Sequence, residues 1–310
     1  MHSYTGPKVG IVIPVFNRKE LTLCCLEKLC ADAPSSFRVI VVDSGSTDGT
    51  PQAVAEKFSR AVVLQTTPSH WWAAATNAGI RDAMQNGCQY VLTCNDDNQA
   101  TSATLEKLVA VAETHRNSIV AATVCDQNSI DTVLFAGRRR SRVTDRFFYM
   151  NHYQSYEKAG SGLREVDLLH GKCTLFPVSV FASVGLFDEK AFPHLFADDD
   201  LVLRAKQRGY RLLVDLDTVI LNDQSTTGLN PYDRRLGAGE ILELFLSRRS
   251  AFQINTRTRF LWRHRRSIAT FVITWLADYL RLASVILLRW LVPETMYRKI
   301  EQCYLRLLSI

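Results

Sequence analysis

Two acidic clusters stand out in a chain whose apolar runs are almost free of charge. Asn95-Asp96-Asp97-Asn98 follows directly on the run Tyr90–Cys94, and Asp198-Asp199-Asp200 follows Pro193-His194-Leu195-Phe196-Ala197. Crowded carboxylates repel one another. The first cluster suits a divalent cation, because Mg2+ or Mn2+ takes one or two carboxylates and completes its shell with phosphate oxygens and water. A solvated Asx turn or a helix N-cap is the competing explanation. In the second cluster one Asp suffices to cap the helix that follows, so three leave at least one without a structural need. A carboxylate partly desolvated among other acids has a raised pKa and can act as a general base.

The patterns that cradle phosphate with glycines are missing: no G-x-G-x-x-G follows the first strand, and no Gly/Lys phosphate loop, G-x-S-x-G or H-E-x-x-H occurs. Nucleotide phosphates would therefore be held by a cation, which points to chemistry with a diphosphate leaving group.

The elements around these clusters read as an α/β fold. Val9–Pro14, Phe37–Val42, Ala61–Leu64 and Tyr90–Cys94 are short apolar runs of the kind buried on both faces of a sheet. Between them the spacing predicts helices over 19–31, from Thr50-Pro51 onward, and over 73–86, with Pro suited to the first helical position. Such alternation predicts right-handed βαβ units and a mostly parallel sheet, whose ligands bind at the carboxyl ends of the strands. Asn17, Asp43 and Asn95-Asp96-Asp97 all fall at such ends. Residues 138–142 and 151–165 read as loops, the basic run Arg138–Arg142 as a solvated face, 178–184 and 201–208 as helices, and 212–214 as a strand.

Charge is distributed unevenly. Residues 1–246 hold 25 Lys+Arg and 28 Asp+Glu, a net of −3, whereas residues 247–310 hold 12 and 3, a net of +9. This places a domain boundary at 246/247 and gives the tail its own partner. Between Arg263 and Leu291 apolar residues recur at i, i+3, i+4, i+7, interrupted by Asp278, Arg281 and Arg289, which argues against a transmembrane span. Basic flanks and Trp262, Trp275 and Trp290 fit a helix lying in an anionic membrane interface over residues 262–299; the alternative is packing on its own domain or on a second copy of the chain. The eight cysteines show no metal-ligand spacing, and the first residues lack a signal-peptide pattern, so a reducing cytosolic location is expected.

Read together and in order, Val9–Arg18 (VGIVIPVFNR), Val41–Thr50 (VVDSGSTDGT), Asn95-Asp96-Asp97, His70–Gly79, Gly185–Glu189 and Ala197–Tyr210 (ADDDLVLRAKQRGY) resemble family 2 glycosyltransferases of the GT-A fold, in a bacterial rhamnosyltransferase-like branch. The resemblance covers roughly residues 8–225. It implies a GT-A domain, Rossmann-like with helices flanking the sheet, followed by a C-terminal helical extension. It further implies inverting transfer of a sugar from a nucleotide-diphospho-sugar to a glycan or lipid-linked acceptor, at the cytoplasmic face of the cell membrane. Pro14, Phe16 and Asn17 then match the first nucleotide-contacting loop, and Asp43 the carboxylate that reads the base. Asn77, Asn95 and Asp96 join the nucleotide-sugar contacts, with Asp96 toward the ribose. Asp97 is similar to the ligand of a Mg2+ or Mn2+ ion bridging the diphosphate, and Asp198 to the catalytic base.

Two positions depart from the family pattern: Asn95 stands at the first D-x-D position, and Ala197 where many relatives carry Glu. The base therefore stays open among Asp198, Asp199 and Asp200. Trp71 and Trp72 would offer an apolar wall to a sugar ring, or pack in the core. His170-Gly171-Lys172 falls where relatives line the donor sugar or acceptor. A catalytically inert nucleotide-sugar binder that scaffolds a membrane assembly is the alternative function. Nucleic acid is not an expected partner, because no reading module accompanies the Arg-rich segment 257–266.

Overall fold

The computed structural model describes residues 6–223, 235–293 and 296–297. The chain divides into two compact units, Met1–Ser141 with Arg146–Ser225, and Arg142–Asp145 with Thr226–Ile310.

The first unit opens with the expected alternation: β1 (Val9–Val15), α1 (Lys19–Cys30), β2 (Phe37–Asp43), α2 (Thr50–Lys57), β3 (Val62–Gln65), α3 (Trp72–Gln85) and β4 (Tyr90–Cys94). It continues through β5 (Asn98–Gln99), α4 (Ser102–Thr114), β6 (Ser118–Asp126), β7 (Ser129–Phe135), β8 (Arg138–Arg140), β9 (Phe147–Tyr149) and β10 (Leu163–Glu165). β11 (Cys173–Pro177), α5 (Val178–Val184), α6 (Ala197–Gln207) and β12 (Arg211–Asn222) complete it.

The main sheet runs β10-β12-β6-β11-β4-β1-β2-β3. It is mixed rather than mostly parallel: β3, β2, β1 and β4 are parallel, but β11 pairs antiparallel with both β4 and β6. That reversal positions the site. With Cys173 opposite Cys94, the residues that enter β11, 170–172, arrive at the carboxyl end of β4. β12 lies parallel to β6 and ends at Asn222 opposite Asn98, so its carboxyl end reaches the same edge.

The segment expected as a loop at 138–142 is in part β8, paired with β9. Periodicity could not reveal it, because a three-residue strand of arginines carries no alternation of apolar and polar residues.

Close contact between α3 and β1 depends on missing side chains. A Cβ on Gly10 would collide with Ala83, and one on Gly79 would collide with Val12 and stand 3.1 Å from Val42 Cγ2. Helix and strand thus approach nearer than any larger residue permits.

The second unit contains α7 (Ala238–Leu246), α8 (Ile254–Arg263) and α9 (Ile268–Leu291). Leu236, Leu244 and Leu282 form its core, with Ile241, Phe245, Phe252, Tyr279 and Ile286 packed around them. The boundary read from charge falls after α7, yet α7 shares its apolar core with α9. Ser267 caps α9 by accepting the Thr270 N–H at 3.1 Å.

Replacing Gly79 by Val should destabilise the first unit by about 1–3 kcal/mol through overpacking against Val12. The urea midpoint should fall with the slope of the transition unchanged. A midpoint equal to that of the parent chain would show that α3 has room to spare.

Candidate active site

The loops after β1 and β2 are clipped together. Asn17, at φ 51°, is a residue type that tolerates the left-handed region. Its Oδ1 accepts the Thr47 N–H at 2.7 Å, and its own N–H donates to Ser46 Oγ at 2.8 Å. Pro14 lies opposite Val42 in the β1–β2 register, and Phe16 is exposed beside this clip. Asp43 ends β2 and is buried. Its Oδ2 accepts the N–H groups of Gly45 and Ser46 at 3.1 and 3.0 Å, while Oδ1 is buried with no hydrogen-bond partner among the described residues. A buried acceptor left open in this way is uncommon in a folded protein.

Arg18 neutralises the acidic cluster after β4. Its guanidinium contacts Asp96 Oδ1 at 2.9 Å and Asp97 Oδ2 at 3.4 Å. Asp97 Oδ1 accepts from Asn222 Nδ2 at 2.9 Å, and Asn222 Oδ1 accepts from Lys172 Nζ at 2.7 Å. Burial pushes the Asp96 carboxyl up to about 7, Arg18 opposing and Asp97 adding to the rise. Asp96 Oδ2 is buried without a hydrogen-bond partner among the described residues.

These oxygens fit a divalent cation. Asp96 and Asp97, both contacted by Arg18, supply the hard carboxylate oxygens that such an ion takes. No group of three His, Cys, Asp or Glu side chains suited to a metal occurs among the described residues.

Asn95 takes a different place from the one expected. Its Oδ1 accepts the Trp72 indole N–H at 3.0 Å, and its N–H donates to the Lys172 carbonyl at 3.2 Å. It therefore pegs Trp72 and the 170–172 segment. Asn77 is likewise occupied: its Oδ1 accepts the Phe187 N–H at 3.0 Å, and Nδ2 donates to the Phe187 carbonyl and to Glu189 Oε2 at 2.9 and 2.7 Å. Buried and fully engaged, Asn77 fastens the 187–189 segment and has no polar atom left for a nucleotide.

The three consecutive aspartates separate by their partners. Asp199 is buried in an ion pair with Arg138, and Asp200 binds Arg204 Nε at 2.8 Å while that guanidinium also donates to the Val184 and Leu186 carbonyls. Asp198 is only half-buried, and its Oδ2 accepts the Gly171 N–H at 2.7 Å. Arg138 thus serves a buried carboxylate, where a solvated basic face was expected.

A Cβ on Gly171 would stand 2.8 Å from the Trp72 ring and 3.3 Å from Asp198 Cβ, so glycine lets the backbone reach both. Burial pulls the Lys172 ammonium down, while Asp97 and Asp198 hold it up. Lys172 is the cation that links the two acidic clusters.

His170 is buried, and burial, helped by Lys172, holds it well below the usual imidazole range. Its Nδ1 accepts the Lys172 N–H at 3.1 Å, so the neutral ring carries its proton on Nε2, a donor without a partner among the described residues. Trp72 packs edge-on to Phe187, and Trp71 lies 5.8 Å from the His194 ring. Tyr149, His152 and Tyr153 form an aromatic ladder, with centroids 4.7 and 4.0 Å apart, that joins His170 through Phe135.

Sequence reasoning passed over Arg18, Arg138, Asn222 and this ladder. Arg18 closes the first quoted motif and was within reach; the others are brought in by tertiary pairing.

The Glycosyl transferase family 2 model matches residues 10–185, more than half of the chain. Over 207 residues the chain is 27% identical to the succinoglycan biosynthesis protein ExoA of Rhizobium meliloti, a match covering 65% of this chain and 59% of that protein. It thus spans less than two thirds of that relative. Over 242 residues it is 25% identical to an N-acetylglucosaminyl-diphospho-decaprenol L-rhamnosyltransferase of Mycobacterium tuberculosis, covering 71% of this chain and 77% of the relative. Among solved structures, GalNAc-T7 with UDP, GalNAc and Mn2+ matches with a TM-score of 0.60 at 12% identity, over 74% of this chain and 46% of the other. The mannosyltransferase PcManGT from Pyrobaculum calidifontis, in complex with GDP-Man and Mn2+, matches with a TM-score of 0.57 at 19% identity, over 98% and 81%. These likenesses establish the GT-A fold, and with the family match and the clipped, acid-lined edge of its sheet the chain belongs to glycosyl transferase family 2.

Proposed function

We propose that this chain transfers a hexosyl or rhamnosyl group, with inversion, from a nucleotide-diphospho-sugar to a hydroxyl of a glycan or lipid-linked acceptor. One observation carries the reading. Of the three aspartates at the start of α6, the two buried ones are committed to arginines, and the third, Asp198, faces Gly171 beside Lys172. The lipid-linked acceptor draws support from the decaprenol-linked substrate in the name of the mycobacterial relative.

In this reading Asp43 Oδ1 accepts from the base, and Phe16 and the Asn17 clip shape that end of the cleft. Asp96 turns its open oxygen toward the ribose. Asp97 holds Mg2+ or Mn2+ together with the diphosphate, and the fold neighbours bearing Mn2+ are consistent with that donor set. When bound, the cation offsets charge on the departing diphosphate.

Asp198 takes the proton of the acceptor hydroxyl as its oxygen bonds to the anomeric carbon and the bond from that carbon to the diphosphate oxygen breaks. Gly171 N–H keeps the carboxylate oriented. Lys172, between the two acidic clusters, adds a positive charge near the leaving group. Trp71 and Trp72 line the sugar side, and His170 Nε2–H is a donor available to donor sugar or acceptor.

Asp198→Asn should lower kcat by roughly 10²–10⁴-fold with nucleoside-diphosphate affinity preserved in calorimetry, the size expected for loss of a general base. Full activity in this variant would remove Asp198 from the role. Asp199→Asn should behave differently, leaving Arg138 buried beside a neutral group and lowering stability by about 3–5 kcal/mol in denaturant unfolding.

Asp97→Ala should weaken nucleoside-diphosphate binding when Mn2+ is present and leave binding in excess chelator nearly unchanged. Equal affinities for parent and variant in Mn2+ would place the cation elsewhere.

A further inference from the structure

In the second unit, α9 is built inside out. Its buried residues are Thr274, Asp278, Leu282 and Arg289, three of the four polar, while Ile268, Val272, Ile273, Leu276, Leu280 and Leu287 are exposed. The exposed set continues to Leu288 and Leu291 at spacings of three and four, so it is one apolar stripe along about 36 Å of helix.

The inward polar residues have protein partners. Asp278 pairs with Arg257 of α8. Thr274 Oγ1 accepts the Asp145 N–H at 2.8 Å, and Arg289 lies 3.6 Å from the Tyr297 ring centroid. A helix that spends its polar side on the protein and presents its apolar side outward has a non-aqueous neighbour.

We infer that the outward face of α9 is the docking surface of this chain for an anionic lipid bilayer, with the helix lying in the plane of the interface. Charge selects the occupant. Residues 247–310 hold 12 Lys+Arg against 3 Asp/Glu, a net of +9, and Arg259, Arg263 and Arg266 are exposed at or just before the start of α9. An anionic surface complements that charge, whereas a second copy would bring two such segments together. Trp262 and Trp290, both about half exposed, stand near the two ends of the stripe, where interfacial indoles settle.

The in-plane orientation follows from α8. By length and composition α9 can cross a membrane, at a mean hydropathy of 1.7. Its midpoint, however, is tied by Asp278 to Arg257 on the polar α8, and a span would carry that ion pair into hydrocarbon. The inference stands on the second unit alone and does not depend on the transfer chemistry.

The test is co-sedimentation of the full chain with vesicles of phosphatidylcholine alone, or with about a third phosphatidylglycerol. Binding should be at least about tenfold stronger to the anionic vesicles, weaken as salt is raised, and shift tryptophan emission to the blue. The double variant Leu280→Asp/Leu287→Asp, at exposed positions and with unchanged circular dichroism, should lose about tenfold or more.

Absence of binding by the parent chain, or equal binding by the variant, would overturn the inference. A parent dimer that the variant converts to monomer, without vesicle binding by either, would assign the face to a second copy. Retention on vesicles through high salt and alkaline carbonate would replace the in-plane helix by a spanning one.

Discussion

The site depends on pairing between crowded acids and a few well-placed cations. Asp96 and Asp97 follow β4, Asp198, Asp199 and Asp200 open α6, and within each cluster unpaired carboxylates would repel one another strongly in the low dielectric of the interior. Arg18 spans Asp96 and Asp97, Arg138 takes Asp199, and Arg204 takes Asp200. Lys172 sits where Asp97 and Asp198 both act on it. Each cation fixes a carboxylate in place, and Asp43 Oδ1, Asp96 Oδ2 and His170 Nε2 stay buried without a hydrogen-bond partner among the described residues.

A single topological choice makes the pairing possible. Had β11 run parallel to β4, the segment 170–172 would lie at the far edge of the sheet, and Gly171 could not reach Asp198. The antiparallel insertion brings Lys172 beside the acidic cluster, where its carbonyl accepts from Asn95 and Asn98 and its ammonium from the other side donates to Asn222. Asn95, Asn98 and Asn222 bond one another's neighbours in a small amide network that holds the strand ends in register. The amide at the first D-x-D position belongs to this scaffold, because neutral Asn95 can accept from Trp72 without adding a further charge to the cluster.

The two units solve opposite problems. The first encloses an apolar sheet and carries polar groups at its strand ends, whereas the second, beside its small apolar core, ties up polar groups inside and leaves an apolar stripe of α9 outside. In α9 the ion pair of Asp278 with Arg257 and the bonds of Thr274 organise the buried side together with Leu282, while Leu276, Leu280, Leu287, Leu288 and Leu291 are exposed. The basic excess of the C-terminal fifth and the stripe of apolar residues both belong to this unit.

The sequence by itself determined the alternation of β1 through β4, because buried parallel strands are continuous β-branched runs, and it marked the strand ends where polar residues interrupt such runs. It also marked both acidic clusters and the amphipathic period of α9. It could not decide which of three adjacent aspartates is available, since that depends on Arg138 and Arg204 arriving from elsewhere in the chain. Nor could it show that Asn77 and Asn95 are spent on Phe187, Glu189 and Trp72, or that the run at 138–140 is a strand whose first arginine pairs with Asp199. Periodicity located the apolar face of α9 but not the side on which the protein lies. These are matters of pairing between distant segments, and local pattern carries no information about partners that only the fold brings within hydrogen-bonding distance.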